Sequence, residues 1–132
     1  MPKGMPKELK TIGDHIRAWR INQGLYQKDV AKILGITEES VVLWEVGGTT
    51  PFIRYLPSII KMIGYVPLSI DTSTLGGKVW YCRCLLGETS RQFGRRVPVD
   101  ASTIRYWEKK KIVSPRYAQI VEGICREILD VI

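Results

Sequence analysis

"VLWEVGG", Val42 to Gly48, and "RYWEKKK", Arg105 to Lys111, carry the same dipeptide, Trp44-Glu45 and Trp107-Glu108, 63 residues apart. Two of the four tryptophans in this 132-residue chain are therefore committed to one pattern. Shifting the sequence on itself by 63 aligns more than these pairs. Thr11-Ile12-Gly13 falls on Thr74-Leu75-Gly76, Arg20 on Arg83, and Gly24 on Gly87. Apolar positions coincide as well: Ile16 with Val79, Val30 with Phe93, Ile36 with Val99, and Val41 with Ile104. From Thr11 to Glu45 six of 35 positions are identical, and they fall at turns, at helix-facing positions and at one charge pair. With one residue inserted, Pro51 meets Pro115. Self-similarity at a fixed period marks an internal duplication, which sets the architecture before any single motif does.

The join shows as a change of composition. "YVPLSIDTSTLGG", Tyr65 to Gly77, has one charge, a proline, a paired glycine and four Ser/Thr residues, and reads as a linker or loop. Two domains follow, residues 7–68 and 73–132. Each holds about 60 residues, a size at which a domain is marginally stable alone, so the halves are expected to pack on each other. Within the first half Leu9, Ile12, Ile16 and Trp19 recur at helical spacing, with Gly24 as the stop. Gln27 to Gly35 predicts a short second helix with Val30, Ile33 and Leu34 inward. Thr37 supplies an N-cap for a third, whose buried side is Val41 and Trp44. Pro51 is expected to open a fourth, and "YLPSIIKMIG" closes the core. No segment reads as a strand.

The composition, 45% apolar and 25% charged, is that of a folded soluble domain. A net charge of +7 and a pI near 9.5 favour a polyanionic partner, because basic groups gain affinity by releasing counterions from phosphates. No stretch approaches the 18 or so apolar residues of a membrane span, and "MPKGMPKELK" lacks the apolar centre of a leader peptide, so a cytoplasmic protein is expected. Cys82, Cys84 and Cys125 lack metal-site or disulfide-framework spacing and are expected to be buried or inert thiols. His15, the sole histidine, is expected to be a surface residue rather than a ligand.

A short helix, a turn led by glycine, and a second short helix ending in an aromatic residue is the layout of a helix-turn-helix. Arg20, Gly24-Leu25, Gln27, Ala31, Gly35-Ile36, Trp44-Glu45, Gly47 and Pro51 resemble the lambda repressor and Cro family of DNA-binding regulators. Arg83, Gly87, Val99, Ser102-Thr103-Ile104 and Trp107-Glu108 repeat the resemblance in the second half. There Ser90 replaces Gln27, Gly94 replaces Ala31 and Pro98 replaces the turn glycine Gly35. The resemblance implies an all-α protein of two tandem lambda-repressor-like helix-turn-helix domains, each of about five short helices. It also implies that each tryptophan seals the recognition helix against the core. The glutamate that follows pairs with the arginine of the first helix, Arg20 with Glu45 and Arg83 with Glu108. The physical reading agrees, since a carboxylate beside so large an apolar surface is costly without a cation.

The resemblance further implies where double-stranded DNA is met. In the first half Gln27 and Lys28 would touch phosphates, and Glu38, Glu39, Ser40 and Val42 would face the groove. In the second half Ser90 and Arg91 would open the second helix, and Ala101, Ser102 and Arg105 would face bases. Lys109, Lys110, Lys111 and Arg116 would follow the backbone. Residues 1–72 carry nine Lys/Arg and seven Asp/Glu, whereas residues 73–132 carry eleven and six, so most of the basic excess lies late in the chain. The expected function is a sequence-specific transcriptional regulator, a repressor acting by occlusion. It needs no cofactor, metal or small-molecule ligand. The alternative is a protein-interaction module, antitoxin-like or co-regulatory, whose first domain, through Val42 and Leu43, binds a partner or a second copy of the chain. Asp100, Glu108 and Lys110 imitate the carboxylate spacing of metal-dependent nucleases but fall on a helix rather than a strand scaffold, and no enzyme is expected.

Overall fold

Thr11 and Thr74 open the two halves of the repeat in the same way. In the computed structural model, which describes residues 4–131, Thr11 caps helix α1, Ile12–Asn22, its hydroxyl accepting from the Asp14 amide at 3.0 Å. The Asp14 carboxylate accepts in return from the Thr11 amide, completing a capping box. Thr74 caps α5, Leu75–Leu86, by accepting from the Gly77 amide at 3.0 Å, with no acid at position 77 to answer it. Residues 1–3, which begin the stretch inspected for a leader, and Ile132, the end of the expected second domain, lie outside the described residues.

The chain forms two compact units, Met1–Leu68 and Ser69–Ile132. The first holds α1, α2 (Gln27–Leu34), α3 (Glu38–Glu45) and a 3-10 turn, Ile53–Tyr55, running into α4 (Leu56–Ile63). The second holds α5, α6 (Ser90–Gly94), α7 (Ala101–Lys110) and α8 (Pro115–Val131). Among the described residues all regular structure is helical, so the protein is all-α. The helix count differs from five short helices each: the first unit has four α-helices and a 3-10 turn, and the second has four, the last of them 17 residues long.

In the first unit α1 and α2 pack on α3, and α4 closes on α1 and α2. The core is Ile12, Ile16, Val30, Ala31, Val41, Trp44, Leu56, Ile59 and Ile63. In the second, α5 and α6 pack on α7, and α8 lies along α5. Val79, Cys82, Phe93, Val97, Ile104, Trp107, Val121, Cys125 and Ile128 form one buried cluster. The two first helices sit hard against the end of α3 or α7. A Cβ on Gly13 would lie 1.8 Å from the Trp44 carbonyl oxygen, and one on Gly76 would lie 2.3 Å from that of Trp107. Each glycine is therefore required for helix approach. Gly24 and Gly87, at φ +71° and +69°, turn the chain out of α1 and α5 in the left-handed conformation that favours glycine.

Several expectations are corrected. Leu9 precedes the Thr11 cap and is exposed. Ile33 is 54% exposed, because on so short a helix Val30, Ala31 and the half-buried Leu34 define the inner face and position 33 rotates to its flank. Pro51 is buried in the preceding segment, and α4 starts only at Leu56. Leu75, Gly76 and Gly77, read as linker, form the first turn of α5 behind the Thr74 cap.

The segment before α7 follows a different course from the one before α3. Gly35, at φ +67°, ends α2 in a left-handed turn and Thr37 caps α3. Pro98 cannot take that conformation, since its ring holds φ near −65°. α6 stops at Gly94, and the chain folds back so that the Val99 amide donates to the Gly94 carbonyl at 2.7 Å. A Cβ on Gly94 would come within 2.4 Å of the Val99 carbonyl oxygen. Glycine at position 94, where the first half has alanine, is the local adjustment that lets this tighter return form.

These contacts predict opposite effects for three like substitutions. Gly13→Ala and Gly76→Ala should each destabilise their own unit by more than about 3 kcal/mol through backbone overlap. Gly123→Ala in α8, where a Cβ meets nothing within 4 Å, should stabilise by about 1 kcal/mol. Urea unfolding of the three variants checks all three signs.

Candidate functional site

The surfaces that face outward are set by what is locked inward beneath them. Glu45 follows Trp44 at the end of α3 and is only 5% exposed. Arg20, in the last turn of α1, meets it with a two-pronged fork, Nε to Oε2 at 2.6 Å and Nη2 to Oε1 at 2.7 Å. The bond to Glu45 raises the Arg20 pKa. Arg20 Nη1 also donates to the Leu25 carbonyl at 3.3 Å, tying down the turn into α2. The Gln27 amide donates to Glu45 Oε1 at 3.2 Å, and Arg17 Nε stands 4.0 Å from the same oxygen. One carboxylate thus fastens α1, the turn and α2 to α3.

In the second unit the pair is present but looser. Arg83 uses a single nitrogen, Nη1, to reach both Glu108 oxygens, at 2.9 and 3.0 Å. Its Nε is buried without a hydrogen-bond partner, and the guanidinium lies 5.1 Å from the Trp80 ring centre. Burial pushes the Glu108 carboxyl above its ordinary value, with Arg83 opposing. Ser90 and Trp80 stand where Gln27 and Arg17 stand in the first unit, so the two supplementary donors are missing. Each tryptophan is also braced by a tyrosine, Trp44 by Tyr55 at 5.8 Å and Trp107 by Tyr117 at 5.6 Å between ring centres. The sequence gives little warning of this. Tyr55 and Tyr117 are 62 residues apart, off the register of the repeat.

Above this scaffold the two units present different chemistry. On α7 the side chains of Ser102, Arg105, Tyr106, Lys109 and Lys110 are exposed, with Lys111 just beyond. Arg91 and Arg95 are exposed on and after α6, and Arg116 is exposed at the start of α8, 5.5 Å from the Tyr117 ring centre. Tyr106, 57% exposed among these cations, was not anticipated; its signal was its place one residue before the buried Trp107. Ala101 is half-buried. Ser102 donates to Asp100 at 2.9 Å, as does the Thr103 hydroxyl at 2.7 Å, so the Ser102 hydroxyl is engaged in the cap. The Thr103 and Ser102 bonds hold the Asp100 carboxyl below its ordinary value.

Ser90 requires correction as a contact residue. It is 7% exposed, because the cap at Thr89 turns it under the start of α6. In the first unit Gln27 is half-buried and committed to Glu45, leaving Lys28 exposed above the Tyr26 ring at 5.5 Å. Both border a cleft of about 330 Å³ with Arg20, Tyr26 and Glu38. Glu38 and Glu39 are exposed at the start of α3. Ser40 is half-buried, its hydroxyl 2.9 Å from that of Thr37, and Val42 is half-buried rather than free. Leu43 and Val46 are exposed, the latter by 69%.

His15 is partly exposed, its Nδ1 lies 2.7 Å from the Tyr65 hydroxyl, and burial lowers its pKa. All three cysteines are buried, and burial pushes the Cys84 thiol up to about 12. Among the described residues no group of three or more His, Cys, Asp or Glu is placed to hold a metal ion. Asp100 and Glu108 are eight residues apart on one helix, about 12 Å along its axis, and each is engaged locally. No helix among the described residues is long and apolar enough to cross a membrane. No protein-family model matches the chain, and neither does any curated protein or solved structure.

The two ion pairs predict unequal sensitivity. Glu45→Ala strips Arg20 of two short bonds in a buried setting and should destabilise the first unit by about 3–5 kcal/mol. Glu108→Ala should destabilise the second unit measurably less, because that carboxylate is already poorly compensated. Denaturant melts that resolve the two units give both values.

Proposed function

We propose that this chain is a sequence-specific DNA-binding transcriptional regulator, a repressor acting by occupying an operator, and that its two units are helix-turn-helix domains resembling those of the lambda repressor and Cro family. The observation that carries the reading is α7. Its inner side is fixed by Ile104, Trp107 and Glu108, and its outer side offers Arg105, Tyr106, Lys109 and Lys110 to solvent. A helix held rigidly from behind and cationic in front suits insertion into a major groove, with the flanking cations following phosphates. Arg105 is the member able to read a base edge, since its guanidinium matches guanine O6 and N7. Lys109, Lys110, Lys111, Arg91 and Arg116 supply affinity without sequence preference.

In the first unit α2, the left-handed turn at Gly35 and α3 support the same reading of fold. The surface there supports a different use. Glu38 and Glu39 complement the helix dipole but oppose a phosphate field, and Leu43 and Val46 are exposed beside them. A second reading follows for this unit alone, in which α3 meets a protein partner or a second copy of the chain while α7 meets DNA.

Selection from a random duplex pool at about physiological salt tests the proposal. An enriched site is expected, with two blocks about one helical turn apart if both units read, and with one block if α7 alone does. On that site Arg105→Ala should lose about 1–3 kcal/mol and relax preference at one position, whereas Lys110→Ala should weaken all sequences alike and reduce the salt slope by about one. Retention without enrichment, or equal behaviour of the two variants on specific and random duplexes, would contradict it.

A further inference from the structure

The repeat provides its own reference for the surroundings of a buried carboxylate. Glu45 in the first unit has the Arg20 fork, the Gln27 amide and, 4.0 Å away, the Arg17 guanidinium. Glu108 in the second unit has Arg83 through one nitrogen. Where Arg17 brings a second cation to the first unit, the repeat places Trp80 in the second. Beside that indole lies a cleft of about 210 Å³, lined by Trp80, Glu108, Asp71, Thr74 and Lys111 among others. Ser73 donates to Asp71 Oδ1 twice, from its amide at 3.0 Å and from its hydroxyl at 2.5 Å, while Oδ2 accepts no hydrogen bond from the described residues. An aromatic face with carboxylates at its edge is the chemistry that recognises organic cations. The indole already has one guanidinium against it, that of Arg83.

We propose that the cleft between Trp80, Asp71 and Glu108 binds an organic cation carrying a guanidinium group. That cation stands where Arg17 stands in the first unit. Its flat, weakly hydrated head lies against the indole, and its N–H groups donate to Asp71 Oδ2 and to the Glu108 oxygens left with spare acceptor capacity. Lys111 is the residue that opposes it. It is an exposed residue that lines the cleft, and its charge is felt at Asp71. A bound cation therefore competes with the Lys111 ammonium, and removing that charge should tighten binding. This inference is independent of DNA recognition, and it departs from the sequence-based expectation that no small molecule is bound.

The test uses the full chain and two probes of matched shape, methylguanidinium and neutral methylurea, followed by the indole N–H resonance of Trp80, which Trp80→Phe identifies. Methylguanidinium should move that resonance saturably, and methylurea should bind about tenfold more weakly or not at all. Asp71→Asn should weaken methylguanidinium binding by about tenfold, and Lys111→Asn, which keeps a residue tolerant of the left-handed backbone there, should strengthen it. Trp80→Arg, which copies the first unit and removes the reporter indole, should leave the chain folded and abolish methylguanidinium binding as measured by titration calorimetry. Tighter binding of agmatine than of a Gly-Arg-Gly peptide points to a free amine as the source, and the reverse order to an arginine of a partner protein. Equal binding of methylurea, a shift that does not saturate, or unchanged affinity in both Asp71→Asn and Lys111→Asn would overturn the proposal.

Discussion

A carboxylate locked under the end of a helix by an arginine from the first helix is the constraint on which each unit depends. In the first unit Glu45 draws Arg20, Gln27 and the Leu25 turn into one network, and it can do so only because α1 approaches α3 closely. That approach requires Gly13, whose Cα lies against the Trp44 carbonyl. The same relation joins Gly76, Trp107, Arg83 and Glu108. All six identities between the halves now have a physical role. One threonine caps the first helix, one glycine lets it approach, one glycine turns the chain away, and the arginine, tryptophan and glutamate fix the helix that faces outward. None of the six supplies a side chain to the outer face of α3 or α7.

The outward positions are consequently free of the constraint, and they have diverged. Glu38 and Glu39 correspond to the half-buried Ala101 and the exposed Ser102, the half-buried Val42 to the exposed Arg105, Leu43 to Tyr106, and Val46 to Lys109. One scaffold thus displays an acidic and apolar surface in the first unit and a cationic, aromatic one in the second. Divergence also reaches inside. With Ser90 too short to take the place of Gln27 and Trp80 in the place of Arg17, Glu108 is less well compensated than Glu45.

Much of this was legible in the sequence because repetition isolates residues with structural roles. The two ion pairs, the Thr37 cap and the helical character of each segment follow from Thr, Gly, Arg and Trp-Glu at fixed offsets. Positions that depend on rotation about a short helix were not legible: Ile33 and Ser90 differ in burial from what their types suggest, by an angle that eight- or five-residue helices do not average out. The Tyr55 and Tyr117 braces were not legible because they lie off the register of the repeat, nor was the contact of His15 with Tyr65, because the two are 50 residues apart. Gln27 illustrates a subtler difficulty. Its type and position suit a phosphate contact, yet its amide is already donated to Glu45.

If scaffold and surface are separable in this way, the outer face of α7 can be transferred. The decisive measurement is the duplex affinity and salt slope of a chain bearing Glu38→Ala, Glu39→Ser, Val42→Arg and Val46→Lys, four changes that give α3 the outward residues of α7. The account predicts an unfolding midpoint close to that of the parent, tighter binding, and a salt slope steeper by about two, one for each added cation. Loss of folding would show that the outer face is part of the scaffold after all. An unchanged affinity and slope in a folded chain would show that this face of the helix does not meet DNA.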